Sequence, residues 1–94
     1  SFGLYSSVTY ILGFKAGKDI HSFLDELQIN DEDFIFVAST NYENMVDAKD
    51  LEIICKEYSE NVLRFDSKDA ALDYALNSTL DDGQIIITGS MYLY

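Results

Sequence analysis

Residues 13–19, with the sequence GFKAGKD, have the residue types of a phosphate-binding loop. They follow an apolar run that predicts a strand and precede a run with helical spacing. A P-loop has the pattern G-x-x-x-x-G-K-S/T, in which backbone N–H groups surround the phosphates and the hydroxyl holds Mg²⁺. Here the loop is one residue short, and Asp19 stands where the hydroxyl residue should be. The sequence therefore argues against a P-loop.

Two other interpretations of this loop remain open. In the first, it is only a turn between strand and helix, with Gly17 at the bend, Lys18 in solvent and Asp19 as the helix N-cap. In the second, the free N–H groups and the dipole of the helix N-terminus contact a nucleotide or a neighbouring domain. Lys18 and Asp19 are the candidate residues for that contact.

The single cysteine and the single histidine predict no further reactive site. Cys55 has no disulfide partner and falls on an apolar helical stripe, so we expect it to pack in the core. His21 lies in the first turn of a predicted helix, where a partly exposed histidine is expected. One cysteine and one histidine give neither a thiolate zinc site nor a histidine pair. We therefore predict no catalytic residue and no metal ligand.

The composition restricts the partners and the compartment. The chain has 94 residues, 48% of them hydrophobic, and a formal net charge of −11. Such an acidic chain should be repelled by nucleic acid and by anionic membrane surfaces. No apolar run is long enough to span a bilayer, and no secretory leader is evident. We expect a cytoplasmic protein, or one in an organelle matrix if a leader has been removed.

Strand-like and helical segments alternate along the chain. The predicted strands are residues 7–12, 34–38, 62–65 and 84–88, and the last is expected to be buried. The predicted helical stripes are residues 20–27, 51–58 and 71–76, with Asp19, Asp47 and Ser67 as N-caps and Ala71, Leu72, Ala75 and Leu76 facing inward. The order β-α-β-α-β-α-β predicts an α/β, Rossmann-like three-layer domain with a mostly parallel four-stranded sheet.

The end of the chain, ALDYALNSTLDDGQIIITGSMYLY, carries a more specific pattern. Thr88-Gly89-Ser90-Met91-Tyr92-Leu93 matches a T-G-S-x-Y-L signature position by position, and residues 13–19 match the spacing of G-x-x-x-D-K-D, with Gly17 replacing the first aspartate. In both features the chain resembles the C-terminal domain of folylpolyglutamate synthase and dihydrofolate synthase, in the Mur ligase family. The loop of residues 41–46 has no proline-arginine pair, which family members often carry there.

The resemblance implies a function for the longer enzyme. The family joins L-glutamate to the carboxylate of a folate or dihydropteroate through an acyl phosphate, using ATP and Mg²⁺. Its P-loop lies in a central ATPase domain, and its third domain opens with an Asp-Gly-Ala-His-Asn strand; this sequence contains neither. The resemblance therefore implies an N-terminally truncated third domain, 1–94, that is inactive alone, binds no nucleotide tightly and has the central ATPase domain as its partner.

The resemblance also implies roles for individual residues. Ser90 would contact the incoming glutamate, Tyr92 and Leu93 would shape the adjoining cleft, and Lys18 and Asp19 would organise the face turned toward the central domain. The residues themselves allow a simpler interpretation, in which Gly89 and Ser90 form a tight turn, Tyr92 and Leu93 pack, and Lys18 is a solvated charge.

A different class of function remains as the alternative. A four-stranded α/β domain can also be a stand-alone interaction or regulatory module without catalysis, because fold does not fix function. A receiver domain would show acidic residues after its first strand, and a flavin binder would show a hydroxyl-rich loop there. The first strand here ends at Leu12-Gly13, and the loop has neither feature.

Overall fold

The computed structural model describes residues 7–39, 43–78 and 83–89. These residues form four strands and three helices in alternation: β1 (Val8–Gly13), α1 (Ile20–Leu27), β2 (Phe34–Ala38), α2 (Ala48–Cys55), β3 (Asn61–Phe65), α3 (Lys68–Ser78) and β4 (Gln84–Gly89). All neighbouring strands are parallel, in the order β3-β2-β1-β4. The predicted α/β three-layer arrangement is confirmed.

Helices α1 and α2 share one buried cluster with alternate residues of β1 and β2. Leu24 of α1 and Leu51 and Cys55 of α2 are fully buried in it. The strand residues in the same cluster are Tyr10, Leu12, Ile35 and Val37. Each leucine buried in this way contributes roughly 1.5–3 kcal/mol. This cluster fixes α1, and with it the loop before α1, against the centre of the sheet.

The two helix starts on this face follow the sequence prediction. Asp19 caps α1 by accepting the Ser22 N–H at 3.2 Å, and Asp47 caps α2 by accepting the Lys49 N–H at 2.9 Å. Helix α2 is shorter than its apolar stripe, because it ends at Cys55 and not at Tyr58. The N–H groups of Glu57 and Tyr58 bond to carbonyls three residues earlier, which tightens the chain into a turn.

Helix α3 lies on the opposite face of the sheet. Ser67 caps it by accepting the Ala70 N–H at 3.0 Å, as predicted. Ala71 and Ala75 are fully buried against Ile11 and Phe36, and their small side chains allow the helix to approach the strands closely. The prediction that Leu76 faces inward is wrong, because this side chain is 65% exposed. The two alanines define the buried line of α3, so Leu76 falls on the flank of the helix.

Strand β4 also differs from expectation. The sequence predicts a buried strand, but none of its six residues is fully buried. Among the described strands, β4 pairs only with β1, so its other edge has no strand beside it. Ile85 and Ile86 pack partly against the two opposite clusters. A continuous apolar run on an edge strand thus has the same sequence pattern as a central strand.

No helix in the described ranges has both the length and the apolar character needed to cross a membrane.

Candidate functional site

The winding of the sheet reverses between β1 and β4. From β1 the chain passes through α1 and α2 to the strands on one side, and α3 then returns it to the other side of β1. Open α/β sheets bind ligands at such a reversal, beyond the carboxyl ends of the strands. The candidate site is therefore the edge at which β1 ends in Gly13 and β4 ends in Gly89.

Gly13 and Gly89 are register partners at this edge. Gly89 has a positive φ of 79°, and a Cβ atom there would lie 2.7 Å from the Gly13 carbonyl oxygen and 3.1 Å from the Phe14 ring. Only glycine allows both this backbone conformation and this close approach. The two motifs identified in the sequence, GFKAGKD and T-G-S-x-Y-L, therefore meet directly through their glycines.

The loop after β1, residues 14–19, forms backbone hydrogen bonds with residues 44–46 before α2. The Val46 N–H donates to the Phe14 carbonyl at 2.8 Å, and the Ala16 N–H donates to the Asn44 carbonyl at 2.6 Å. Lys15 and Met45 form an isolated antiparallel bridge between these two bonds. The sequence reasoning missed this contact. Its one local signal is Asn44, whose φ of 62° is a conformation that asparagine tolerates better than most residues.

Asp19 acts as the N-cap of α1 with both carboxylate oxygens. One oxygen accepts the Ser22 hydroxyl at 2.8 Å, and the other accepts the Ser22 N–H at 3.2 Å. These two hydrogen bonds hold the pKa of Asp19 below its ordinary value, and the bond from the Ser22 hydroxyl has the larger effect. The carboxylate therefore stays ionised and occupies the N-terminus of the helix.

Lys18 lies beside this cap and is exposed to solvent. Its N–H makes a long bond of 3.4 Å to the Lys15 carbonyl, which closes the turn. Gly17 within that turn has a φ of 91° with open space where a Cβ would be. The structural interpretation of the loop, with Gly17 at the bend and Asp19 as cap, is therefore confirmed, and the exposed Lys18 side chain is accessible from outside.

The remaining candidates lie beyond the end of β4. Thr88 and Gly89 are described and pair with Leu12 and Gly13. Ser90, Tyr92 and Leu93 lie outside the described residues. The structure places Gly89, the residue before Ser90 in the sequence, beside Gly13.

The Asp19 carboxylate disfavours a phosphate group at the N-terminus of α1. The Asp19 carboxylate already accepts the N–H of Ser22, the third residue of α1, and the Asp19 carbonyl accepts the Phe23 N–H at 3.2 Å as the first helical bond. A phosphate approaching this helix end would also meet the negative charge of Asp19. Within the described ranges, no group of three or more His, Cys, Asp or Glu residues could hold a metal ion. We derive no ATP-dependent step from these residues.

Cys55 and His21 take part in packing and in a contact between α1 and the turn after α2. Cys55 is fully buried, and burial raises the pKa of its thiol to about 12, so the nucleophilic thiolate is strongly disfavoured. His21 is exposed and lies 3.1 Å from the Tyr58 hydroxyl through its Nδ1 atom. Tyr58 in turn donates to the His21 carbonyl at 3.2 Å, which ties α1 to the turn after α2.

Comparisons of the chain with family models, with curated proteins and with solved structures found no match.

Proposed function

We propose that the chain is the third domain of an ATP-dependent ligase that adds L-glutamate to the carboxylate of a folate or dihydropteroate. What supports the proposal is the direct pairing of Gly13 with Gly89. Two motifs near opposite ends of the sequence resemble two motifs of one ligase family. They meet at the edge where α/β sheets bind ligands.

In this proposal the reaction takes place between domains. The γ-phosphoryl group of ATP passes to the substrate carboxylate and ADP leaves. The amine of L-glutamate then attacks the acyl carbon, the amide forms, and phosphate and a proton are released. The central ATPase domain holds ATP and Mg²⁺, and this domain closes over the activated acyl group with the glutamate positioned for attack.

The family resemblance supplies the individual roles in this proposal. Ser90, directly after the paired glycines, offers its hydroxyl to the incoming glutamate, and Tyr92 lines the adjoining cleft. Lys18 is the exposed cation of the neighbouring loop and contacts the central domain or the anionic reactants. Asp19 keeps that loop in place through its two bonds to Ser22 and contacts no reactant itself.

The first experiment is a blot of the source cells with an antibody raised against this 10.7 kDa chain. A three-domain ligase, at roughly 100–200 residues per domain, gives a band several times larger than the chain. The protein in that band should form an amide that depends on both ATP and L-glutamate. A band at the size of the chain would instead favour the stand-alone interaction or regulatory module.

Variants of the full-length protein then test the assigned residues. Ser90→Ala should raise the KM for glutamate about two- to tenfold, since a lost hydrogen bond costs about 0.5–1.5 kcal/mol, and leave the KM for ATP unchanged. Lys18→Ala should lower kcat/KM, whereas Lys49→Ala, an exposed lysine on α2, should not. Equal effects of the two lysine variants, or no effect of Ser90→Ala, would contradict the roles proposed for Lys18 and Ser90.

A further inference from the structure

A concave surface lies on the α3 face of the sheet, away from Gly13 and Gly89. It has a volume of about 390 Å³ and is bounded by the starts of β1 and β2, by β3 and by the last turns of α3. Its lining includes Thr9, Phe34 and Ser78, which are all near the amino ends of the strands or the carboxyl end of the helix. We name it the α3 groove. Its volume falls within the range of small-molecule sites.

Aromatic rings form the floor and one wall of the α3 groove. Phe34 and Phe36 meet edge to face with centroids 6.4 Å apart, and Tyr74 lies edge to face against Phe36 at 5.7 Å. Phe34 and Tyr74 remain 39% and 50% exposed, so their ring surfaces are open toward the groove or solvent. Leu63 of β3 adds an aliphatic wall and is 41% exposed. Such rings favour a planar apolar ligand.

One buried polar group of the α3 groove, the Thr9 hydroxyl, has no hydrogen-bond partner among the described residues. Thr9 is only 4% exposed, and it points to the α3 face because its neighbour Tyr10 belongs to the opposite cluster. A buried hydroxyl without a partner is unfavourable, and a ligand with a hydrogen-bonding group would satisfy it.

The lining also selects against charge. Of the described residues around the groove, the polar ones are Ser7, Thr9, Ser78 and the Tyr74 hydroxyl, and none carries a carboxylate, an amine or a guanidinium group. The chain as a whole carries a net charge of −11, which further disfavours anions. We propose that the α3 groove is a binding site for a neutral, planar aromatic small molecule whose polar group hydrogen-bonds to Thr9.

Indole is a suitable probe, because it is neutral, planar and carries one N–H donor. The chain has no tryptophan, so indole fluorescence is separable from that of the protein. We expect saturable binding of indole to the 94-residue chain with a Kd of about 1 mM, as for a small fragment. Amide resonances of residues 9, 34 and 63 should shift in the ¹H–¹⁵N spectrum. Indole-5-carboxylate should bind at least about tenfold more weakly.

Three variants test the assigned contacts. Thr9→Val keeps the shape and removes the hydroxyl, so it should weaken indole binding about three- to tenfold without lowering the stability of the free chain. Leu63→Gln should weaken binding as well. Ile53→Gln changes a 67% exposed apolar residue on α2, a helix of the opposite face, and should leave binding unchanged.

Several results would overturn the proposal. They are the absence of saturable shifts at the lining amides, equal binding of the carboxylate, or unchanged affinity in Thr9→Val. Sedimentation should show a monomer at the concentration of the titration. A dimer in which those same amides are protected would mean that a second copy, and not a small molecule, covers the α3 groove.

Discussion

The carbonyl oxygen of Gly13 lies 2.7 Å from the position that a Cβ atom on Gly89 would occupy. The last residues of β1 and β4 are thus in contact through their backbones alone. This contact joins the end of β1 to the end of β4 at the reversal of the sheet. Any side chain at residue 89 must push these two strand ends apart.

The first prediction concerns Gly89→Ala. The added methyl would lie 2.7 Å from the Gly13 carbonyl oxygen and 3.1 Å from the buried Phe14 ring, and the φ of 79° is unfavourable for alanine. We expect the free energy of unfolding to fall by about 2–4 kcal/mol, measured by urea denaturation followed by circular dichroism.

Gly17→Ala is the matched control for this substitution. Gly17 has a similar φ of 91°, but nothing lies within 4 Å of the position that its added methyl group would take. Only the backbone strain should remain, at about 1 kcal/mol. If the two variants were equally destabilised, the close approach of Gly13 and Gly89 would not be the cause.

The second prediction concerns the cap of α1. Asp19→Asn keeps the size of the side chain but replaces one of the two oxygens that accept bonds from Ser22 and removes the negative charge at the helix N-terminus, so the melting temperature at pH 7 should be lower. Because folding lowers the pKa of Asp19, its contribution is present above the ordinary value of 3.8 and is lost as the pH falls through the folded value.

The difference in melting temperature between wild type and Asp19→Asn should therefore shrink as the pH is lowered below 3.8. Glu60→Gln, at an exposed carboxylate outside the helices, serves as the control and should keep the melting temperature of the wild type at pH 7. A difference for Asp19→Asn that did not change with pH would mean that the charge of Asp19 plays no part in the cap.

The order of strands and helices was predictable because each element is marked locally. Asp19, Asp47 and Ser67 mark the helix starts, and Phe34–Ala38 is bounded as a strand by polar residues. The burial of β4 and of Leu76 was predicted wrongly. Both depend on which elements lie beside them in space, and an apolar residue has the same local pattern at the edge of a layer as in its centre.

The candidate site was predictable only in part. The sequence marked residues 13–19 and 88–93 separately, but their contact through Gly13 and Gly89 depends on the strand order, which no local pattern specifies. The backbone hydrogen bond between Ala16 and Asn44 was missed for the same reason, since it joins two loops through backbone groups that any residue type except proline can supply.

The third prediction tests the observed burial of the leucines. Leu76→Gln should change the free energy of unfolding by less than about 0.5 kcal/mol, because the side chain is 65% exposed. Leu24→Ala, at a fully buried residue of α1, should cost about 2–5 kcal/mol. Chemical denaturation of both variants checks this contrast. A large cost for Leu76→Gln would mean that this side chain is covered in solution.

The fourth prediction concerns the pH dependence of stability through Cys55. Burial raises the pKa of this thiol from 9.0 to about 12, so the folded chain keeps its proton over a range in which the unfolded chain loses it. The unfolded state therefore binds fewer protons between pH 9 and 12, and stability falls as the pH rises. The slope from one proton is at most about 1.4 kcal/mol per pH unit.

Cys55→Ala removes this proton while keeping a small apolar side chain. Tyrosines and lysines titrate in the same range, so the measured quantity is the difference between wild type and Cys55→Ala in the free energy of unfolding from about pH 8 to about pH 11. We expect wild type to lose stability more steeply. The thiol should also resist a disulfide reagent at about pH 8 until the chain is unfolded in urea, and rapid reaction of the folded chain would show that Cys55 is accessible.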